Sequence, residues 1–108
     1  MNRIVEESIA LIREVTKEAP RFIDDVGLVL ERAKQPMSRI LVAYEFHRMG
    51  DWLRNQIIDQ TPKNLFVSIA RHRIELKKST VIDFVCLDRS ERFRGLRWDA
   101  VYIQSYPL

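Results

Sequence analysis

Apolar residues recur along the first third of the chain with the spacing of amphipathic helices. In Arg3–Glu18, residues Ile4, Val5, Ser8, Ile9, Leu11, Ile12 and Val15 share one face at intervals of three and four, and Pro20 ends the pattern. A second helix is expected from about Phe22 to Ala33, burying Phe22, Ile23, Val26, Val29 and Leu30, with Gly27 weakening its middle and Pro36 closing the connection beyond it. Joined so closely, the two read as an antiparallel helix pair.

The pattern then changes period. Arg39–Tyr44 is a continuous apolar run of strand length without alternation, which predicts a central parallel strand covered on both faces. Helical spacing returns over Met49–Gln60, placing Met49, Trp52, Leu53, Ile57 and Ile58 on one face before Thr61-Pro62, and this segment reads as the crossover helix of a β-α-β unit. Leu65–Ala70 reads as the next strand. His72, Ile74 and Leu76 then alternate with Arg71, Arg73 and Glu75, and Lys77-Lys78-Ser79 makes a turn. From Thr80 to Leu87 both faces are apolar except at Asp83, which must lie near an edge or be paired, and Ala100–Gln104 is a last short strand. The order predicts one α/β domain over residues 1–108, with a helix pair at 3–35 and a core at 39–104. The expected core is a partly parallel sheet of about four to five strands that includes a β-hairpin, covered by the helix pair and one crossover helix.

Composition narrows the class. With 46% hydrophobic and 31% charged residues, the 108-residue chain is expected to be a soluble globular domain. Its lone cysteine, Cys86, sits in an apolar run with no partner for a disulfide or zinc cluster, so it reads as core and favours a reducing, intracellular setting. No apolar run reaches the roughly 18 residues of a membrane span, and Met1-Asn2-Arg3 turns acidic at Glu6-Glu7, unlike a signal peptide. Cytoplasmic residence is therefore expected.

The net charge of +3 is unevenly distributed: residues 1–70 hold 10 basic and 10 acidic side chains, and residues 71–108 hold 8 and 5. The basic set comprises Arg71, Arg73, Lys77 and Lys78 around the hairpin and Arg89, Arg92, Arg94 and Arg97 in the loop after it. Phe93 and Trp98 are interleaved with them. Guanidinium forks suit phosphate and aromatic rings can stack on bases, so the set is a candidate nucleic-acid surface. The competing reading is a solvated basic face, locally paired with Asp88, Glu91 and Asp99, with both aromatics in the core.

From Arg39 onward the order of elements resembles the core that follows the phosphate-binding loop in phage terminase large subunits and related helicase-type ATPases. Arg39–Tyr44, Met49–Gln60, Leu65–Ala70, Ile74–Leu87, Arg94-Gly95-Leu96-Arg97-Trp98-Asp99 and Ala100–Gln104 fall in the family's order of strand, helix, strand, hairpin, Arg-Gly segment and strand. The departures are specific. No Gly-x-x-x-x-Gly-Lys-Ser/Thr exists among Gly27, Gly50 and Gly95, and Gln104 and Ser105 stand where the family has its acids. What the resemblance implies is a motor-like fold, of phage or mobile-element origin, that does not hydrolyse ATP.

Several smaller features have a structural and a functional reading. Gly95 permits a positive-φ turn or a close approach of backbone to phosphate. Glu45, His47 and Asp51 follow the first strand, where α/β proteins place chemistry, yet they also suit a helix entry. His72 reads as a half-buried strand residue and Asp24-Asp25 as a solvated helix face. Trp52, Phe22 and Ile23 read as core.

The first expectation is a non-catalytic protein, without cofactor or metal, that binds DNA or RNA or a nucleic-acid-processing complex through the arginine loop and hairpin. Arg89, Arg92, Arg94 and Arg97 would meet phosphate, Lys77 and Lys78 would extend the surface, and Phe93 would stack. The alternative is an inhibitor or adaptor docking on a host or viral enzyme through its helix pair. An enzyme would require Glu45, His47 and Asp88 to converge in a pocket.

Overall fold

The computed structural model describes residues 3–89 and 97–104, excluding the side chains of Ile4 and Val5. In chain order the elements are α1 (Arg3–Glu14), β1 (Arg21–Phe22), α2 (Gly27–Ala33), β2 (Arg39–Tyr44), α3 (His47–Gln60), β3 (Phe66–Ile69), β4 (Arg73–Leu76), β5 (Thr80–Cys86) and β6 (Ala100–Gln104). They form an α/β fold on a single mixed sheet of order β1-β6-β2-β5-β4-β3. The unbroken apolar run of β2 lies where such a run must lie, paired in parallel with β5 on one side and β6 on the other. β4 runs antiparallel to both β5 and β3. α3 therefore carries the chain past β5 and β4 to a parallel strand at the far edge.

Alternation along β2, β5 and β6 divides the core in two. Ile40, Val42, Tyr44, Ile82, Phe84, Cys86, Ala100 and Tyr102 face α2 and α3, where Val29, Leu53 and Ile57 are fully buried. Leu41, Ala43, Val85, Leu87, Val101 and Ile103 face Ile9 and Ile12 of α1. The buried Ser8 hydroxyl donates to the Leu87 carbonyl and seals that contact. The two N-terminal helices thus cover opposite faces of the sheet and are not a packed pair; each spends its apolar stripe on the sheet itself.

The boundaries shift for local reasons. α1 ends at Glu14 because the backbone beyond it is claimed by Trp98, whose N–H donates to Val15 O (3.0 Å) and whose carbonyl accepts from Lys17 N (3.2 Å). Arg21-Phe22 is extended and not helical: it pairs with Tyr102-Ile103, and Ile23 N–H donates to Ile103 O. α2 then starts only at Gly27, whose N–H is accepted by Asp25 Oδ1 at 2.9 Å, so Asp24-Asp25 precede the helix. Phe22 and Trp52 are 53% and 46% exposed, so neither is core, while Ile23 packs partly buried against it.

Gly50 shows how tightly α3 meets the sheet. A Cβ there would lie 2.3 Å from the Tyr44 ring, inside any real contact distance. Gly50→Ala is expected to cost about 1–3 kcal/mol through this overpacking, read as a lower urea midpoint at unchanged m-value; wild-type stability in that variant would contradict the packing.

Candidate functional site

Asp83 sits in the middle of β5 on the α1 side of the sheet, beyond the area that α1 covers. Cross-strand pairing puts Arg73 directly opposite it, and Arg73 Nε donates to Asp83 Oδ1 at 2.6 Å. On the other flank Arg39 Nε approaches Asp83 Oδ2 at 3.6 Å. The Trp98 indole N–H donates to the same oxygen at 3.0 Å, and the Arg39 guanidinium lies 6.0 Å from the Trp98 ring centre. The hydrogen bond and charge of Asp83 push the Arg73 pKa further up. The expectation for Asp83 of an edge position or a partner resolves to partners: two guanidiniums share one carboxylate, leaving a net positive charge. Both arginine side chains stay about 40% exposed, at 38% and 42%.

The remaining basic residues divide between the two ends of the sheet. Lys77 and Lys78 form the β4–β5 turn at the amino end of β5, and exposed Arg97 precedes β6 at the same end. Arg71 lies at the other end of β4, and Arg89 follows β5 at its carboxyl end. Arg92, Phe93, Arg94 and Gly95 lie outside the described residues. Trp98 is buried, at 2% exposure, and its ring cannot stack on a base. The predicted set is therefore not one patch. Its amino-end members Lys77, Lys78 and Arg97 share an edge with Arg39, whereas Arg73 stands opposite Asp83 at the middle of β5.

That edge holds every positive-φ non-glycine residue among those described: Met37 (57°), Lys78 (65°) and Ser79 (62°). Left-handed backbone costs an ordinary residue roughly 1–2 kcal/mol. Here Met37 N–H donates to Lys78 O at 2.8 Å and Val81 N–H to Ser38 O at 2.9 Å, which holds the corner in place. An open groove lined by Val67, Glu75, Lys77, Lys78, Ser79 and Val81 runs from it across the face of the sheet.

The carboxyl end carries different chemistry. Tyr44 pairs with Cys86, so the segment after β2 lies beside the end of β5. His47 opens α3, two residues earlier than the periodicity predicts. Among the described residues, one group of side chains has metal-ligand character: His47, Cys86 and Asp88, whose donor atoms all lie within 4.8 Å of one another. Glu45 is not in that group; its carbonyl accepts from the Cys86 thiol at 3.5 Å. Burial pushes the Cys86 thiol above its ordinary pKa, which makes it a poor nucleophile at neutral pH. Cys86 is core, as its apolar run predicts, yet its sulfur also reaches the sheet end. Nothing in the local sequence joins it to His47; only the β2–β5 register does. His72 is exposed, not half-buried.

Two predictions follow from this polar framework. Asp83→Ala removes the acceptor of a buried indole N–H and the shared partner of two half-exposed guanidiniums, which water can still reach, an expected loss of about 1–3 kcal/mol. Asp83→Asn, which keeps an acceptor, should lose less; equal urea midpoints for wild type and Asp83→Ala would contradict the hub. Asp99 accepts the Arg39 backbone N–H at 2.8 Å and pairs with Lys17 at 3.1 Å. The Arg39 N–H foremost, then Lys17, holds its pKa below the usual value. A depressed folded pKa supplies stability that is present above the unfolded pKa, about 4, and is lost as pH falls through the folded value. Asp99→Asn should accordingly lower stability at neutral pH and flatten its decline below about pH 4, measured by denaturant titrations across pH.

Among the described residues, no helix is long and apolar enough to cross a membrane. No protein-family model, curated protein or solved structure matches the chain.

Proposed function

We propose that this chain is a non-catalytic nucleic-acid-binding protein that grips the sugar-phosphate backbone with the amino-end edge of its sheet. The observation that carries the reading is the strained corner at Lys78-Ser79, which sets two lysines at the same end of the sheet as Arg97 and the half-exposed Arg39. Strain in ordinary residues is retained where the surrounding structure fixes it, and such places are enriched in binding sites. The amino ends of β5 and β6 are separated by β2, a distance of roughly 10 Å at ordinary strand spacing. A few nucleotides of backbone span that distance, and lysines with arginine forks suit its phosphates. Arg92, Arg94 and Phe93, outside the described residues, enter the proposal by residue type alone, the arginines for phosphate and Phe93 for stacking. Descent of the fold from a phage motor core without its phosphate-binding loop fits the same reading.

Docking on a partner protein through the N-terminal helices has less support. Ile9, Ile12, Val26 and Val29 are buried against the sheet, on opposite faces, so among the described residues these apolar stripes do not form one shared surface.

The test is fluorescence anisotropy with labelled single-stranded and duplex DNA and RNA over a range of salt. Lys77→Gln/Lys78→Gln/Arg97→Gln should weaken binding about tenfold or more and reduce the salt slope by about 2–3. Arg71→Gln/Arg89→Gln, at the other end, should stay within about twofold of wild type. An unchanged slope in the folded triple variant, or no binding by the wild-type chain, would sink the proposal.

A further inference from the structure

We propose that His47, Cys86 and Asp88 form a binding site for a zinc-class divalent metal at the carboxyl end of the sheet, with one coordination position left open. The site is built by the fold and not by a sequence motif. β2 and β5 are parallel neighbours whose chains leave in different directions: β2 continues into α3 and on to the β3 edge, whereas β5 is followed in the sheet by β6, on the opposite side of β2. The crevice outside two such strand ends is where open α/β sheets bind ligands. Both strands end there together, because Tyr44 pairs with Cys86 and Leu87 N–H donates to Tyr44 O at 2.8 Å. A turn closed by Arg89 N–H on Cys86 O, at 2.9 Å, curls Asp88 back over the strand end, and the first turn of α3 presents His47 from the other side.

The donor set selects the ion. Thiolate, imidazole and carboxylate together suit Zn²⁺ and its neighbours, whereas Mg²⁺ and Ca²⁺ require oxygen. Around tetrahedral zinc, donors at about 2.0–2.3 Å from the metal stand about 3.3–3.6 Å apart. The present spread of up to 4.8 Å closes by side-chain rotation of His47 and Asp88, both exposed, toward a buried sulfur held in place by the strand. On binding, the Cys86 S–H bond breaks, the sulfur pair goes to the metal and the proton goes to solvent. Arg89, whose Nε lies 4.0 Å from Asp88 Oδ1, is the competing partner of that carboxylate. With three protein ligands, the fourth position is open to water or a ligand oxygen.

Co²⁺ titration of the reduced, purified chain tests this, with Zn²⁺ as competitor. The expected result is one equivalent of Co²⁺ giving visible bands of tetrahedral intensity and a near-ultraviolet thiolate charge-transfer band, both erased by Zn²⁺. His47→Ala and Asp88→Ala, at exposed positions, should each weaken binding at least about tenfold, and Cys86→Ser should remove the charge-transfer band. Asp51→Asn, an exposed acid on α3 outside the donor set, should bind like wild type, and Arg89→Gln at least as tightly. The assignment fails if folded wild type shows no cobalt band, or if the band survives unchanged in His47→Ala and Asp88→Ala, which would mark a lone-thiol adduct. Nucleic-acid affinity need not change in these variants, so the two proposals stand or fall separately.

Discussion

A single carboxylate in the middle of an apolar strand determines how half of this sheet is organised. Asp83 cannot be left without partners at that depth, and its partners come from three separate segments: Arg39 from the start of β2, Arg73 from β4 and Trp98 from the residues before β6. The hub therefore ties the β4 hairpin to the parallel core and holds the Trp98 segment, which in turn ends α1 through Val15 and Lys17. It also shapes the surface. α1 covers the opposite half of this face with Ile9 and Ile12, while two guanidiniums sharing one carboxylate leave the uncovered half positive and half-exposed.

The two ends of the sheet have correspondingly different chemistry. At the amino end stand a strained corner, two lysines, Arg97 and Arg39 of the hub, the cationic groups on which the proposed grip on a polyanion rests. At the carboxyl end a sulfur, an imidazole and a carboxylate come within 4.8 Å of one another across the β2–β5 pair, the donor set of the proposed zinc-class site. The ends are separated by the length of the strands, so each can be altered without disturbing the other. Gly50 against Tyr44 links α3 to the last residue of β2 and thereby sets where His47 enters.

Much of the fold is legible in the sequence because its strongest signals are burial signals. Ile40–Ala43 has no polar position on either face, as an interior parallel strand requires, and the run around Asp83 marks an apolar strand whose one acid must lie near an edge or be paired. β1 is illegible for the opposite reason: two residues carry no period, and Phe22 falls at helical spacing from Val26 although its neighbours bond to β6. The placement of α1 and α2 on opposite faces is likewise a tertiary outcome, since two amphipathic stripes fit a pair or a sandwiched sheet equally well. For the candidate surface, the sequence identifies the basic residues but not their ends of the sheet. Arg71 and Lys77 are close in number yet lie at opposite ends of a four-residue strand. Trp98, which the sequence leaves open between a stacking surface and the core, packs into the α1-side core, and Asp83 accepts its indole N–H there.

The most direct test of a nucleic-acid grip at the amino end of the sheet is an amide ¹H–¹⁵N titration of the folded chain with a short single-stranded oligonucleotide at near-physiological salt. Shifts are expected to concentrate at Met37, Lys77, Lys78, Ser79 and Arg97, with Arg71 and Arg89 unaffected. Shifts confined to the carboxyl end, or none at saturating oligonucleotide, would contradict it.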